Sequence, residues 1–162
     1  MTVSSLNTDA GRVGANITKS PDTIQQFNRG ERLFGDYGGE FLYGVAGGAF
    51  AQGDFVVFDK DYSATLITTT NSPRGAKVAV ARYAMASGQF GWFQVGGQAA
   101  GRTAAAAAAN AQLNTTATGG AIDDDATTGA KRLDGIAIPV AAAGATTNTE
   151  FTLSNPVVGA TL

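Results

Sequence analysis

The stretch Phe90-Gly-Trp-Phe-Gln-Val-Gly-Gly97 decides the fold of this 162-residue chain, because it joins an aromatic run to a glycine pair. It contains the single tryptophan, Trp92. Aromatic and β-branched residues favour strands, whereas paired glycines favour a change of direction. We therefore predict a strand over 90–95 with Trp92 as a core anchor. The glycine pair is predicted to turn the chain into the next β unit.

Short apolar runs separated by turn residues extend this pattern on both sides. Further strands are predicted at Glu40–Tyr43, Phe55–Phe58, Thr65–Thr69, Val78–Met85 and Leu133–Ile138, with turns at Gly35–Gly39, Asp59–Ser63 and Ser72–Gly75. Strands at this spacing are typical of a small β-barrel or β-sandwich. The alanine run within 104–112 is the one place that favours helix, so we predict a mostly β fold with at most one short helix.

The second half of the chain resembles the first. Asp54 and Gln112, like Val78 and Ile136, lie 58 positions apart in similar surroundings. The segments 41–49 and 92–100 also resemble each other, as do 90–95 and 151–156. A weak internal duplication is one hypothesis for this pattern. The strand and turn spacing shared by small β proteins is the other.

The composition excludes several functional classes. The chain has no cysteine and no histidine, which removes disulfides, thiolate metal sites and the common histidine-based triads. The net charge is −2 and the basic residues are scattered, so we predict no nucleic-acid partner. No apolar run is long enough to cross a membrane, and the first residues lack a leader pattern. These features predict a soluble protein made in the cytoplasm.

The N-terminal region differs in character from the rest. Residues 1–30 are polar with isolated apolar positions and show no strand or helix period. We predict an extended N-terminal arm here and a β-rich domain over 31–162. A disordered tail is the alternative interpretation of the same composition.

A glycine-rich segment resembles a phosphate-binding loop. Gly96-Gly-Gln-Ala-Ala-Gly-Arg-Thr103 has the spacing of that motif, with Arg102 where the motif has lysine. Arginine is a planar fork rather than a compact charge, and the chain lacks alternating strands and helices. Both points argue against nucleotide binding.

Two acidic segments contain carboxylate side chains of the kind that bind calcium. Asp59–Ser63 begins like a calcium loop, but Ala64 and Thr70 stand where the loop needs glycine and glutamate. Asp123-Asp-Asp125 supplies three carboxylates that alternate between the faces of a strand. We predict no catalytic, cofactor-binding or metal-binding residues, and no enzymatic activity.

With these residues in view, the chain resembles the head decoration (cement) proteins of tailed bacteriophages. The resemblance begins near Gly35 and rests on the order of several segments, none of which is specific alone. They are Gly39–Tyr43, Ala51–Val57, Phe90–Gly97, the alanine-rich stretch, Leu113–Gly120, Ile122–Asp124 and Leu133–Ile136. Residues 1–30 are not covered.

The resemblance implies a structural virion protein on the capsid exterior. Such a protein bridges neighbouring copies of the major capsid protein, self-associates as a homotrimer, and needs no cofactor, nucleic acid or membrane. The alternative is a tail- or fibre-associated β module that binds host-surface glycans through Trp92 and its aromatic neighbours.

Overall fold

The computed structural model describes Ile17 and residues 21–162. This part is almost all β, which confirms the predicted fold class. The strands are β1 (Arg32–Phe34), β2 (Glu40–Ala46), β3 (Phe55–Phe58), β4 (Ser63–Leu66), β5 (Val78–Ala81), β6 (Phe90–Thr103), β7 (Asn114–Thr115), β8 (Ile122–Asp123), β9 (Lys131–Ala137) and β10 (Thr146–Thr161). One 3-10 turn, Asp36–Gly38, is the helical element of these residues, and none of their helices could span a bilayer.

Five strands of the first half close on themselves. β2 pairs with β4 in parallel, through Val45 and Ser63. The order then runs β4, β3, β5, β6 through antiparallel pairs, and β6 returns to β2 with Tyr43 opposite Trp92. We call these five strands the first ring. β1 lies outside it, against β2.

The second half repeats this arrangement and shares β6. The C-terminal part of β6 pairs in parallel with β8, through Thr103 and Ile122. The order continues as β8, β7, β9, β10 through antiparallel pairs, and β10 returns to β6. These strands form the second ring, which one residue pair closes between β6 and β8.

The loops repeat as well as the strands. An isolated bridge joins Phe50 to Met85 in the first ring, and another joins Ala107 to Ala142 in the second, with both partners displaced by 57 positions. The repetition of strand order, strand direction and loop bridges is what the duplication hypothesis predicts. The bridges are offset by 57 positions, whereas other equivalent residues, such as Phe93 and Phe151, are offset by 58.

The predicted pairing of segments within the duplication was wrong. β2 corresponds to the C-terminal part of β6, because both pair in parallel with the equivalent strands β4 and β8. It does not correspond to 92–100. Likewise Phe151 matches Phe93 rather than Phe90, since the two phenylalanines hold equivalent positions opposite Ala99 and Leu42.

Two local predictions also fail. The glycine pair does not turn the chain: β6 continues through it, with Gly96 opposite Glu40 and Gly97 opposite Leu153. The alanine run forms no helix, because Ala107 exchanges two backbone hydrogen bonds with Ala142, at 3.1 and 2.8 Å. Pairing across the ring therefore overrides the local preference of alanine for helix.

Aromatic packing inside the two rings follows one pattern. In the first ring the side chains of Phe58 and Phe93 meet edge to face at 5.1 Å, and Phe58 covers Gly44. In the second ring Phe55 and Phe151 meet in the same way, also at 5.1 Å.

One of the two aromatic side chains in this contact of the second ring comes from a strand of the first ring. Phe55 belongs to β3 of the first ring, points away from that ring's core, and covers Gly101 of the second. Thr115 occupies the position equivalent to Phe58, so the second ring has no phenylalanine of its own there. Phe55 therefore ties β3 of the first ring to the core of the second ring, while Val56 and Phe58 pack in the separate core of the first.

This packing predicts that Gly101→Ala destabilises the fold by about 1–3 kcal/mol, as overpacking does in a dense core. The added Cβ would lie 2.6 Å from the ring of Phe55, and phenylalanine cannot retreat between the two rings. Urea unfolding measures the change. Gly48→Ala is the matched control, because a Cβ there meets nothing within 4 Å. Equal unfolding midpoints for the two variants would contradict the packing described.

Candidate functional site

An exposed patch lies where the two rings meet. It consists of Arg32 and Phe34 on β1, Tyr37 in the 3-10 turn, Glu40 at the start of β2, and Asn155 on β10. We call this set the edge patch. Phe34 is 56% exposed and Tyr37 is 87% exposed, so two large apolar side chains face solvent close together in sequence.

The turn that carries Tyr37 is tightly held. The Gly35 N–H donates to the Gly39 carbonyl at 2.8 Å, which closes the turn around Tyr37. A Cβ on Gly97 of β6 would lie 2.9 Å from the Gly38 backbone, so the turn rests directly on β6. Tyr37 has φ of 57°, a left-handed conformation that a bulky residue rarely adopts. The strain is maintained while the side chain stays in water, which is a pattern found at binding sites.

Three polar side chains fix the base of the patch. Arg32 forms an ion pair with Glu40 and donates to the Asn155 side-chain oxygen at 3.0 Å. Asn155 in turn donates to the Glu40 carboxylate at 2.6 Å. Since Asn155 belongs to β10 and the other two to β1 and β2, this network ties the patch to both rings.

An aromatic cluster lies beneath the described part of the N-terminal region. Trp92 is 2% exposed, with the ring of Phe27 at 5.2 Å and that of Tyr43 at 5.0 Å. Ile17 is buried in the same cluster. The predicted role of Trp92 as a core anchor is confirmed. Its ring faces are covered, so they offer no platform on which a sugar could stack.

Hydrogen bonds hold the N-terminal segment to this cluster. The backbones of Asp22 and Phe90 exchange hydrogen bonds at 2.8 and 2.9 Å. The Tyr43 hydroxyl donates to the Asp22 carboxylate at 3.1 Å and accepts from the Gln26 N–H at 3.1 Å. Burial is the main cause that raises the pKa of Tyr43 to about 12. Of the predicted arm, residues 1–16 and 18–20 lie outside the described residues.

The segment that resembled a phosphate-binding loop is a strand. Residues 96–103 belong to β6, and the part from 96 to 101 pairs with β10, so its backbone cannot form a cradle around phosphate. The Arg102 side chain bonds the Asp54 carboxylate at 3.2 Å. The glycine spacing of this segment therefore does not form a phosphate-binding loop.

The acidic segments cap turns. Asp59 accepts the N–H groups of Asp61 at 2.8 Å and of Ser63 at 2.9 Å. Asp124 accepts the Ala108 N–H at 2.9 Å. Among the described residues, no three or more His, Cys, Asp or Glu side chains group as a metal site.

A shallow depression lies at the far end of the second ring. Its volume is about 510 Å³, and residues 140–146, Thr149 and Glu150 line it. Glu150 is the one ionisable residue in this lining, so the depression lacks the pair of groups that acid–base chemistry requires.

No family model and no curated protein matches this chain. The sequence predicted only a turn at 35–39 and did not predict the edge patch. A weak signal was present, since Phe34 precedes the turn and Tyr37 lies within it, and a turn does not need large apolar side chains. The strained backbone of Tyr37 leaves no trace in composition.

The Tyr43 contacts predict a loss of stability in alkali. Because its folded pKa of about 12 exceeds the ordinary value of 10, stability is present below pH 10 and falls as the pH rises toward 12. Tyr43→Phe should remove part of this fall and cost about 1 kcal/mol at neutral pH through its lost hydrogen bonds.

Tyr83 is the comparison residue. Burial raises the pKa of Tyr83 too. The Tyr83 hydroxyl accepts a hydrogen bond from the backbone N–H of Trp92 at 2.9 Å. Tyr83→Phe should remove the rest of the alkaline loss. Unfolding by denaturant between pH 8 and pH 12 measures both variants, and an unchanged pH profile in the double variant would contradict the assignment.

Proposed function

We propose that this chain is a structural protein of the bacteriophage head. In this proposal it binds the outer surface of an assembled capsid and stabilises it by bridging neighbouring copies of the major capsid protein. The edge patch is the observation that carries the proposal, together with the ordered sequence segments shared with decoration proteins. The patch offers apolar anchors on a rigid base and no group suited to chemistry.

The physical case rests on preorganisation. Binding is strengthened when the contacting side chains are already held in place, because less conformational freedom is lost on association. Tyr37 stands on a turn that is closed by Gly35 and Gly39 and supported by Gly97. Aromatic residues of this kind are the common anchors of protein interfaces.

The repeated rings suit a repeated partner. Each ring presents an equivalent pair of loops, 47–53 with 82–88 in the first and 104–110 with 139–145 in the second. A body with two similar ends can contact two similar subunits of a lattice. This repetition supports the proposal that the chain bridges neighbouring capsid subunits.

The proposed homotrimer has a candidate contact in β1. This strand pairs only with β2 among the described strands, so its outer edge carries no strand partner there. Unpaired strand edges favour association with another chain. We propose that self-association and the capsid contact made by the edge patch both use this side of the molecule, on the virion exterior, without nucleic acid or membrane.

The proposal predicts that the purified protein binds particles that lack it and raises their resistance to heat. Phe34→Ser and Tyr37→Ser should each weaken binding about 30-fold or more, as loss of an interface anchor does. Cosedimentation with particles measures the affinity. Leu162→Ser is the matched control, because Leu162 is an exposed apolar residue that lies outside both the edge patch and the repeated loops.

Two results would overturn the proposal. One is the absence of the chain from purified virions when it is abundant in infected cells. The other is unchanged particle binding in the Phe34→Ser, Tyr37→Ser double variant, provided that its unfolding curve matches that of the parent protein.

A further inference from the structure

Two buried polar side chains face each other at the seam of the second ring. Asn114 of β7 is 2% exposed and Asp123 of β8 is 6% exposed. They are direct partners in the antiparallel β7–β8 pair, which places their side chains on the same face about 5 Å apart at Cβ. The seam matters because β8 closes the second ring through Thr103 and Ile122.

The hydrogen bonds at this seam are incomplete. The Asn114 side-chain oxygen is buried and has no hydrogen-bond partner, and its nitrogen makes only a long contact of 3.4 Å to the Asp125 carbonyl. One oxygen of the Asp123 carboxylate accepts the Asp125 N–H at 3.1 Å. An amide oxygen and an ionised carboxylate both only accept, so they cannot satisfy each other.

The charged groups around the seam do not supply a donor. Asp124 and Asp125 follow Asp123 in the same turn and add negative charge. On β9, Lys131 donates to Thr161 and Arg132 pairs with Asp134 at 2.8 Å. On β6, the neighbouring Arg102 pairs with Asp54.

We propose that the Asp123 carboxyl group holds a proton and donates it in a hydrogen bond to the Asn114 side-chain oxygen. The proton comes from solvent, and the bond exists only while the carboxyl group is neutral. The second ring thus contains a hydrogen bond between Asp123 and Asn114 that forms in acid, and we call this bond the latch. The first ring has none, because Val57 and Thr65 occupy the equivalent positions.

The electrostatic surroundings of Asp123 favour the protonated carboxyl group, as the unpaired Asn114 oxygen does. Burial is the largest cause that raises the pKa of Asp123, and the charges of Asp125 and Asp124 add to it, while the Asp125 N–H opposes it. A raised folded pKa means that the folded state binds more protons than the unfolded chain.

The direction of the effect follows. The stabilisation is fully present below the pKa of an unfolded aspartate and is lost as the pH rises through the folded pKa. Between the pKa of the unfolded chain and that of the folded protein, each rise of one pH unit lowers the folding equilibrium constant tenfold.

The direct test is a carboxyl carbon NMR titration of Asp123 in the parent protein. We expect a midpoint above the ordinary value of 3.8. We also expect faster amide exchange at 114–115 and 122–123 once the pH exceeds that midpoint. A midpoint at or below the ordinary value would overturn the proposal, whether or not any variant folds.

Asp123→Asn provides the second test, because its amide can donate to Asn114 at every pH. The variant should be more stable than the parent above the folded pKa, and the difference should vanish in acid. Asp125→Asn removes the same charge from an exposed neighbour and should keep the direction of the pH dependence, with a smaller size because the Asp125 charge helps to raise the pKa of Asp123. Lower stability of Asp123→Asn at neutral pH would refute the latch.

A bound cation is another explanation for such an acceptor pair. Millimolar Ca²⁺ should leave the unfolding temperature of the parent protein unchanged if a proton occupies the seam. A rise in that temperature in the parent, absent in Asp123→Asn, would show that a cation takes the place of the proton and would overturn the proposal.

Discussion

The structure depends on one side chain, Phe55, which leaves its own ring to fill the core of the next. Its ring meets Phe151 at 5.1 Å and covers Gly101, as Phe58 meets Phe93 and covers Gly44 in the first ring. Without this contribution the second ring would lose its central aromatic contact, since Thr115 cannot provide it. Removal of a buried phenylalanine from such a position costs about 3–5 kcal/mol. The two rings therefore keep separate hydrophobic cores, and Phe55 is a residue of the first ring that packs in the core of the second.

The repeated halves differ where their surroundings differ. The outer face of β3, with Phe55 and Val57, is apolar because the second ring covers it. The equivalent positions on β7 are Gln112, which precedes the strand, and Asn114, and no third ring covers them among the described residues. A polar outer face on the last unit of a stack is a common means of ending it. This difference explains why weak sequence similarity accompanies a close repetition of strand pairing.

Part of this fold could be predicted from local sequence. The strand Phe55–Phe58 was predicted with its observed bounds, because a continuous apolar run stands between Gly53-Asp54 and Asp59-Lys60. The burial of Trp92 followed from its place in an aromatic strand. The extension of β6 to Thr103 could not be predicted, since glycine and alanine carry no strand signal and the pairing comes from β10. The edge patch was missed for a related reason: the turn that carries Tyr37 packs at Gly38 and Gly39 against Gly97, which is distant in sequence.

The shared strand β6 also determines how the molecule would carry mechanical load. Its 14 residues span about 46 Å at the usual rise of a strand, and they run without interruption from one ring into the other. Tension applied between the two rings therefore passes along covalent bonds. For the rings to separate, β6 must slide along β2 and β10. This motion breaks the hydrogen bonds between these strands together rather than one at a time. A small domain built in this way resists being pulled apart along its length more strongly than its modest buried core would indicate.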